Sequence, residues 1–166
     1  FYERDGEEIG FVISVMSGEQ DRIDIAQAAA QQLRETGINC TVEIPAQIDW
    51  GGQMAYLIGW GSPFDADDHT YKVFGTDKGA NYSSYSNALV DQYLIEARES
   101  ADPAVRAEAY DKFQEELAKD PAFTFICYID ANYVANSSIQ GISADTVMGH
   151  HGVGIFWNVA DWTIGN

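Results

Sequence analysis

The residues best suited to chemistry are a short group of acids that ends in a histidine: Asp65, Asp67, Asp68 and His69. Carboxylate oxygens and imidazole nitrogens are common metal ligands, so a metal-dependent hydrolase would use this group together with His150. The group lacks the glycine and the terminal glutamate of a calcium loop. Two adjacent histidines, at positions 150 and 151, do not easily present both rings to one ion. The pattern favours solvated loop residues, and we predict no metal site and no cofactor.

A tryptophan between two glycines marks a different kind of site. Trp60 follows the apolar run 54–58, which predicts a buried strand, and it precedes a proline turn. In open α/β sheets, ligands bind beyond the carboxyl ends of the strands. Trp60 is therefore either the wall of a ligand site or a bulky turn residue that closes the core, and its position alone leaves both possibilities open.

Composition excludes several classes of function. The 166 residues include 26 acidic and 9 basic ones, for a net charge of −17. Nucleic acids and anionic membranes need clustered basic residues, so neither is an expected partner. The acids are spread along the chain, which is typical of a solvated surface. An apolar content of 46% argues against disorder.

The hydrophobic patterns predict an α/β fold with a mainly parallel sheet. We expect strands at 9–15, 40–44, 55–60 and 123–134, and helices at 25–36, 88–99 and 103–119. The first helix is expected to begin after Asp21 or Asp24, to end at Gly37 and to bury Ile25, Ala28, Ala29 and Leu33. Residues 65–87 are expected to be loop-rich. In the irregular tail 141–166, Phe156, Trp157 and Trp162 are expected to cover the core.

The two cysteines and the chain start give further expectations. Cys40 and Cys127 lie in strand-like runs without a CxxC pair, so buried free thiols are favoured over a bridge. The sequence has no signal peptide, lipidation motif or transmembrane run. It also begins without methionine, as a fragment or processed product would, so the missing targeting signals carry little weight.

Several motifs, taken in order, resemble a known family. They are the L-x-x-x-G-I-x-V-like step at 33–42, the sequence GWGSPFD at 59–65, the turn NYSSYSN at 81–87, the D-x-x-x-R-x-x-x-Y helix around Arg106 and Tyr110, and Asp-Pro at 120–121. Nearly the whole chain is similar to the C-terminal lobe of a family 5 extracellular solute-binding protein of an ABC importer. Members of this family bind peptides, nickel or glutathione.

The resemblance implies a periplasmic-binding-protein type II-like lobe, with residues 1–166 as a single α/β lobe of a larger two-lobe protein. Such a protein is not an enzyme. It captures a peptide, peptide-like ligand or metal chelate in an interlobe cleft, and hinge closure signals to the permease subunits. It would be an extracytoplasmic monomer that reaches the membrane only through a lipid anchor outside this chain. The ligand-binding residues would be Trp60, Tyr56, Asp65, Tyr82 and Tyr85, although core covering is an equal alternative for Tyr82 and Tyr85. A third possibility, a structural or adhesive module, predicts no concave site at the Trp60 strand end.

Two departures from the family pattern affect ligand choice and architecture. Peptide-binding members carry an aspartate three residues after the tryptophan, where this chain has Pro63; its first acid is Asp65. The pattern is closer to the W-G-x-P-Y-D of members that resemble nickel-binding proteins, so a standard anchor for a peptide amine is not expected. Near Trp50 and Gly51, a helix usual in the family is nearly absent. On the predicted last helix, Arg106 and Tyr110 lie one turn apart and are expected to brace each other.

Overall fold

The computed structural model describes residues 1–61, 65–129, 132–143 and 154–165. The chain forms two compact units, Phe1–Gly59 and Trp60–Asn166, and each is described by itself. Among the helices described, none has the length and apolar character that crossing a bilayer requires. His150 and Pro63, both named above, lie outside the described residues.

The first unit is built on a parallel three-stranded sheet. Strands β3 (Gly10–Ser14), β4 (Asn39–Glu43) and β5 (Ala55–Tyr56) lie in the order β4-β3-β5, and helix α1 (Gln20–Glu35) connects β3 to β4. A hairpin of β1 (Glu3–Arg4) and β2 (Glu7–Glu8) precedes them, and its turn places Asp5 and Gly6 at φ of 57° and 84°. The predicted α/β fold with parallel pairing is confirmed, although β5 is shorter than the predicted strand.

Helix α1 differs from the prediction at its start but not at its end. It begins at Gln20 after Glu19, which makes no side-chain cap, and its buried side chains are Ile23, Ala26 and Ala30. The expected caps were therefore wrong. On the predicted face, Ile25, Ala29 and Leu33 are only partly buried and Ala28 is exposed, because Ile23 and Ala26 are the residues that pack with Val15. Gly37 ends the helix as predicted. Its φ is +94°, and a Cβ there would lie 2.7 Å from the ring of Tyr2, so both backbone and space require glycine.

The second unit is organised by three helices, α2 (Ala66–Phe74), α3 (Ala88–Glu99) and α4 (Pro103–Lys119). Their core contains four buried side chains: Val90, Leu94, Phe113 and Leu117. Predicted α3 and α4 are confirmed, with Asn87 and Asp102 as N-caps and proline at the first position of α4. On α3, Val90, Leu94 and Ala97 are buried, whereas Leu89 is 44% exposed.

Three other predictions for the second unit were wrong. Helix α2 occupies the start of the expected loop region, since Asp65 caps it and Val73 anchors it in the interior. The described residues of the expected strand 123–134 contain no strand, because no described segment pairs with them. The tail contains a 3-10 helix (Gly154–Asp161) and the antiparallel strands β6 (Ile139–Gln140) and β7 (Thr163–Ile164). Phe156 and Trp157 are about half exposed, whereas Trp162 is partly buried and its ring lies 5.5 Å from that of Phe156.

The cysteines are both free, as predicted, but only one is buried. Cys40 lies in β4 with no exposed surface, whereas Cys127 is exposed. The expectation that both thiols are buried was wrong for Cys127, because it depended on a strand that does not form in the described residues.

Candidate ligand-binding site

Trp60 forms part of an aromatic surface in the second unit. Its ring lies nearly parallel to that of Tyr82, with centroids 6.2 Å apart and an interplanar angle of 19°. The ring of His69, on α2, lies 5.7 Å away at a tilt of 51°. Trp60 keeps 38% of its surface exposed, so these contacts support the indole without burying it. A supported, partly exposed indole is suited to stack on an apolar or planar ligand.

Gly59, the last residue of the first unit, is glycine for a local reason. A Cβ at this position would lie 2.6 Å from a guanidinium nitrogen of Arg22. Arg22, in the first turn of α1, pairs in turn with Glu19, the residue before the helix, at 3.2 Å. The first glycine of the Gly-Trp-Gly motif therefore leaves space for this arginine.

Asp65 has a scaffold role that the sequence analysis did not identify. Its Oδ1 accepts a hydrogen bond from the backbone N–H of Asp67 at 2.8 Å, which caps α2. The same oxygen pairs with Arg106 at 2.6 Å, and Arg106 also donates to the carbonyl of Ala97 at 3.1 Å. The Asp67 N–H, followed by the Arg106 guanidinium, holds the pKa of Asp65 below its usual range. The predicted brace between Arg106 and Tyr110 is present, with the guanidinium carbon 5.7 Å from the ring centroid.

The lowered pKa of Asp65 predicts an acid-dependent contribution to stability. A depressed carboxyl pKa stabilises the folded state above the unfolded value of about 3.9, and this contribution is lost as pH falls through the lower folded value. We therefore expect Asp65→Asn to lower the urea midpoint of the chain at pH 7, and to lower it less at pH 2.5, which lies below the unfolded value and so removes part of this contribution. Urea titrations of both proteins at the two pH values check this. An equal difference in urea midpoint at both pH values would mean that ionisation of the Asp65 carboxyl contributes nothing to the stability of the fold.

The loop before α3 is held by one amide side chain. Asn81 donates from Nδ2 to the carbonyls of Gly75 and Tyr85, at 2.9 and 2.7 Å, and its Oδ1 accepts from the N–H of Tyr85 at 3.0 Å. Ser84 takes a positive φ of 55° within this turn. The ring of Tyr85 packs on the core of Val90, Leu94, Phe113 and Leu117, whereas Tyr82 lies against Trp60. These contacts support core covering for Tyr85 and a place beside Trp60 for Tyr82.

Three acids of the group that ends in His69 are paired with basic side chains. Asp67 lies 3.7 Å from Arg98, and Asp68 lies 3.0 Å from Lys72. In the part of the chain that the structure describes, no three potential metal-ligating side chains come together. The hydrolase alternative therefore has no support here, because each carboxylate already serves an ion pair or a cap.

Tyr56 belongs to the first unit, at the carboxyl end of β5. Its ring meets that of Trp50 edge-on, with centroids 5.4 Å apart. At the same edge, the buried hydroxyl of Ser14 lies within 2.5 Å of carboxylate and amide oxygens of Glu43 and Gln53. This polar group was not predicted from the sequence. The positions of Ser14 and Glu43 in the sequence could have indicated this group, because they are the last residues of β3 and β4, where α/β sheets place ligand-binding groups.

The chain is similar to several solute-binding proteins of known structure or sequence. NikZ from Campylobacter jejuni, whose crystal structure is a complex with Ni(L-His), is 35% identical, with a TM-score of 0.83 and 97% of this chain covered. Protein XP55 from Streptomyces lividans is 33% identical over 147 residues, or 84% of this chain. The chain belongs to the family 5 solute-binding proteins. No family model matches the sequence.

A more distant member of the family 5 solute-binding proteins supports the fold alone. The oligopeptide-binding protein AppA from Bacillus subtilis, in complex with a nonapeptide, is 22% identical, with a TM-score of 0.72 and 99% of this chain covered. The predicted type II periplasmic-binding-protein fold is confirmed. The chain spans 34% of NikZ, 27% of XP55 and 33% of AppA, which is about a third of the length of these relatives.

Proposed function

We propose that this chain supplies one side of the ligand cleft in an extracytoplasmic solute-binding component of an ABC importer. The observation that carries the proposal is the supported but exposed ring of Trp60, stacked on Tyr82 and flanked by His69. The likeness to NikZ over 97% of the chain supports the same conclusion. Trp60 is the wall of the site and Tyr82 supports it; Tyr56, Asp65 and Tyr85 remain secondary ligand candidates.

The charges beside Trp60 favour a ligand without a free ammonium group. A peptide amine needs a carboxylate that has no other cation, and the nearby acids Asp65, Asp67 and Asp68 are each paired with a basic side chain. Pro63 occupies the position of the family's amine-binding aspartate. NikZ, at 35% identity, was crystallised with Ni(L-His). We therefore favour a metal chelate over a free peptide as cargo.

The role in the cell follows from this proposal. The protein captures its ligand outside the cytoplasm and delivers it to permease subunits, and it catalyses no reaction. Residues 1–166 act as one lobe of a two-lobe monomer, and a lipid anchor outside this chain holds the protein at the membrane. Closure of the two lobes around the ligand is the signal that the permease reads.

The proposal is tested on a chimera of C. jejuni NikZ in which the third that matches this chain is replaced by these 166 residues. We call this protein the NikZ chimera. Calorimetric titration with nickel and L-histidine is expected to show binding, and titration with the dipeptide Ala-Phe is expected to show weaker binding or none. A folded chimera that binds neither probe contradicts the solute-binding proposal, and tight binding of Ala-Phe contradicts the choice of cargo.

Substitution of Trp60 tests whether its indole forms the wall of the ligand site. We expect Trp60→Ala to weaken binding of the nickel–histidine complex by ~10-fold or more, because truncation of a central aromatic contact costs about 2 kcal/mol or more and 1.4 kcal/mol corresponds to tenfold. Trp157→Ala is the matched control, since Trp157 is a partly exposed tryptophan of the same unit that we assign no ligand role. Equal affinities for the two variants would remove Trp60 from the site.

A further inference from the structure

A cleft of about 330 Å³ lies on the second unit, lined by α2, the turn that follows it and the last turn of α3. Three of the nine basic residues of the chain line it, together with two acidic ones: Lys72, Lys78, Arg98, Asp67 and Asp68. Three cations and two carboxylates leave the cleft with one net positive charge, on a chain whose net charge is −17. This local excess of positive charge is opposite to the charge of the rest of the surface.

The ring of Tyr71, on α2, brings two of the cations together. The Nζ of Lys78 lies 4.8 Å from the ring centroid, and the guanidinium carbon of Arg98 lies 4.1 Å from it. The stem of Lys78 runs past the backbone of Gly75, where an added Cβ would lie 2.8 Å from the Cγ of the lysine. An aromatic ring attracts a cation without neutralising it, so both side chains are positioned with their charge intact.

These two cations have hydrogen-bond donors that the described part of the chain does not use. No ion pair among the described residues includes Lys78, although the chain has 26 acidic residues. Arg98 faces Asp67 at 3.7 Å, which is longer than a hydrogen bond. The backbone N–H of Gly79, which also lines the cleft, donates to no described backbone carbonyl. Three kinds of donor are therefore available to a ligand.

The chemistry of these donors selects a small carboxylate. A guanidinium presents parallel N–H groups to the two oxygens of one carboxylate, and an ammonium adds a further charge-assisted hydrogen bond. One net positive charge matches a single carboxylate, whereas Asp67 and Asp68 oppose the second charge of a dianion. A volume of about 330 Å³ is at the lower end of the range for small-molecule sites, so the ligand is small.

We propose that this cleft is a second binding site, which holds a small monocarboxylate through Arg98, Lys78 and the N–H of Gly79. The site goes beyond the proposed cargo site. Its α2 residues are 67, 68, 71 and 72, whereas His69 of the same helix lies against the ring of Trp60. Among the described residues, neither Trp60 nor Tyr82 lines the cleft, so the two sites can be tested separately.

Titration of the ¹⁵N-labelled chain with sodium propionate tests the site. In a constant background of sodium chloride, we expect the amide resonances of Lys78 and Gly79 to shift saturably, with a Kd of about 1 mM, and that of Trp60 to remain in place. Sodium sulfate, a dianion, is expected to bind at least ~10-fold more weakly. If the chain alone does not fold, the same titrations are made on the NikZ chimera, with the same criteria.

Two lysine substitutions distinguish a specific site from general attraction of an anion. Lys78→Gln is expected to weaken propionate binding by ~10-fold or more, because it removes the cation that has no acidic partner among the described residues. Lys112→Gln makes the same change of charge on α4, where Lys112 pairs with Glu108 at 2.7 Å, and is expected to leave the Kd unchanged. Arg98→Lys keeps the charge but loses the parallel donors, and we expect ~3-fold weaker binding.

Three results would overturn the proposal. Shifts that do not saturate, or equal losses in Lys78→Gln and Lys112→Gln, would mean that propionate only screens charge. Tighter binding of sulfate than of propionate would exclude a monocarboxylate as the ligand. Saturable shifts centred on Trp60 instead of Gly79 would place the carboxylate at the proposed cargo site.

Discussion

Leu94→Ala is expected to destabilise the second unit by about 2–5 kcal/mol, the usual range for truncation of a fully buried leucine. Leu94 is 1% exposed and packs with Val90, Phe113 and Leu117 where α3 meets α4. Tyr71 and Phe74 of α2 and Tyr85 pack on the same core. The cavity left by Leu94→Ala therefore weakens the packing of α2, the helix that carries Asp67 and His69, against this core. Hydrogen exchange of α2, α3 and α4 in the chain checks the effect, with lower protection expected in all three.

Ile95→Ala is the matched control for this prediction. Ile95 is the next residue of α3 and is 43% exposed. Its substitution by alanine removes the same number of carbon atoms as Leu94→Ala. We expect its substitution to cost less than about 1 kcal/mol, because the position is not enclosed by other side chains. Similar losses of protection in the two variants would mean that α3 does not pack as described.

The helices were predictable from the sequence where capping and apolar spacing coincide. Helix α3 begins after Asn87, whose Oδ1 accepts from the N–H groups of Leu89 and Val90, and α4 begins with Asp102 and Pro103. Helix α2 was missed although Asp65 is an equally good cap. Pro63, two residues before Asp65, and the polar sequence after Asp65 are typical of a loop. Only the packing of Val73 distinguishes a helix from a loop here.

The candidate site was only partly predictable, since its ion pairs join residues far apart in sequence. Trp60 and Tyr82 were both candidate ligand-binding residues, and the structure brings their rings together. The bond between Asp65 and Arg106 crosses 41 positions, and no local pattern indicates it. The sequence therefore suggested a free carboxylate where the structure has a cap and an ion pair. This pairing agrees with the expectation drawn from Pro63 that a standard anchor for a peptide amine is absent, because a paired acid attracts an amine less strongly.

Strand predictions failed for a related physical reason. A strand is stable only with a neighbour, so its apolar run is a necessary signal but not a sufficient one. Residues 40–43 find β3 beside them and form β4. Residues 124–129 have an equally apolar run and find no partner among the described residues.

Gly10→Ala is expected to destabilise the first unit by about 1–3 kcal/mol, the range for inserting a methyl group into a packed site without space. A Cβ at Gly10 would lie 2.3 Å from the carbonyl oxygen of Asn39 and 2.9 Å from its Cβ. These two residues are direct partners in the parallel pair of β3 and β4, so relief requires the strands to separate. Hydrogen exchange of the β3 and β4 amides is expected to quicken.

The position of the clash makes the Gly10 prediction relevant to function. The strands β3 and β4 end at Ser14 and Glu43, which form the polar group at the carboxyl edge of the sheet together with Gln53. Separation at the amino end of the pair weakens the ladder that holds this edge. Gly51→Ala is the control, since a Cβ there meets only a carboxylate oxygen of Asp49 at 3.9 Å. If Gly10→Ala proves as harmless as Gly51→Ala, the β3–β4 register is not the one described, and the polar group at its end loses its structural basis.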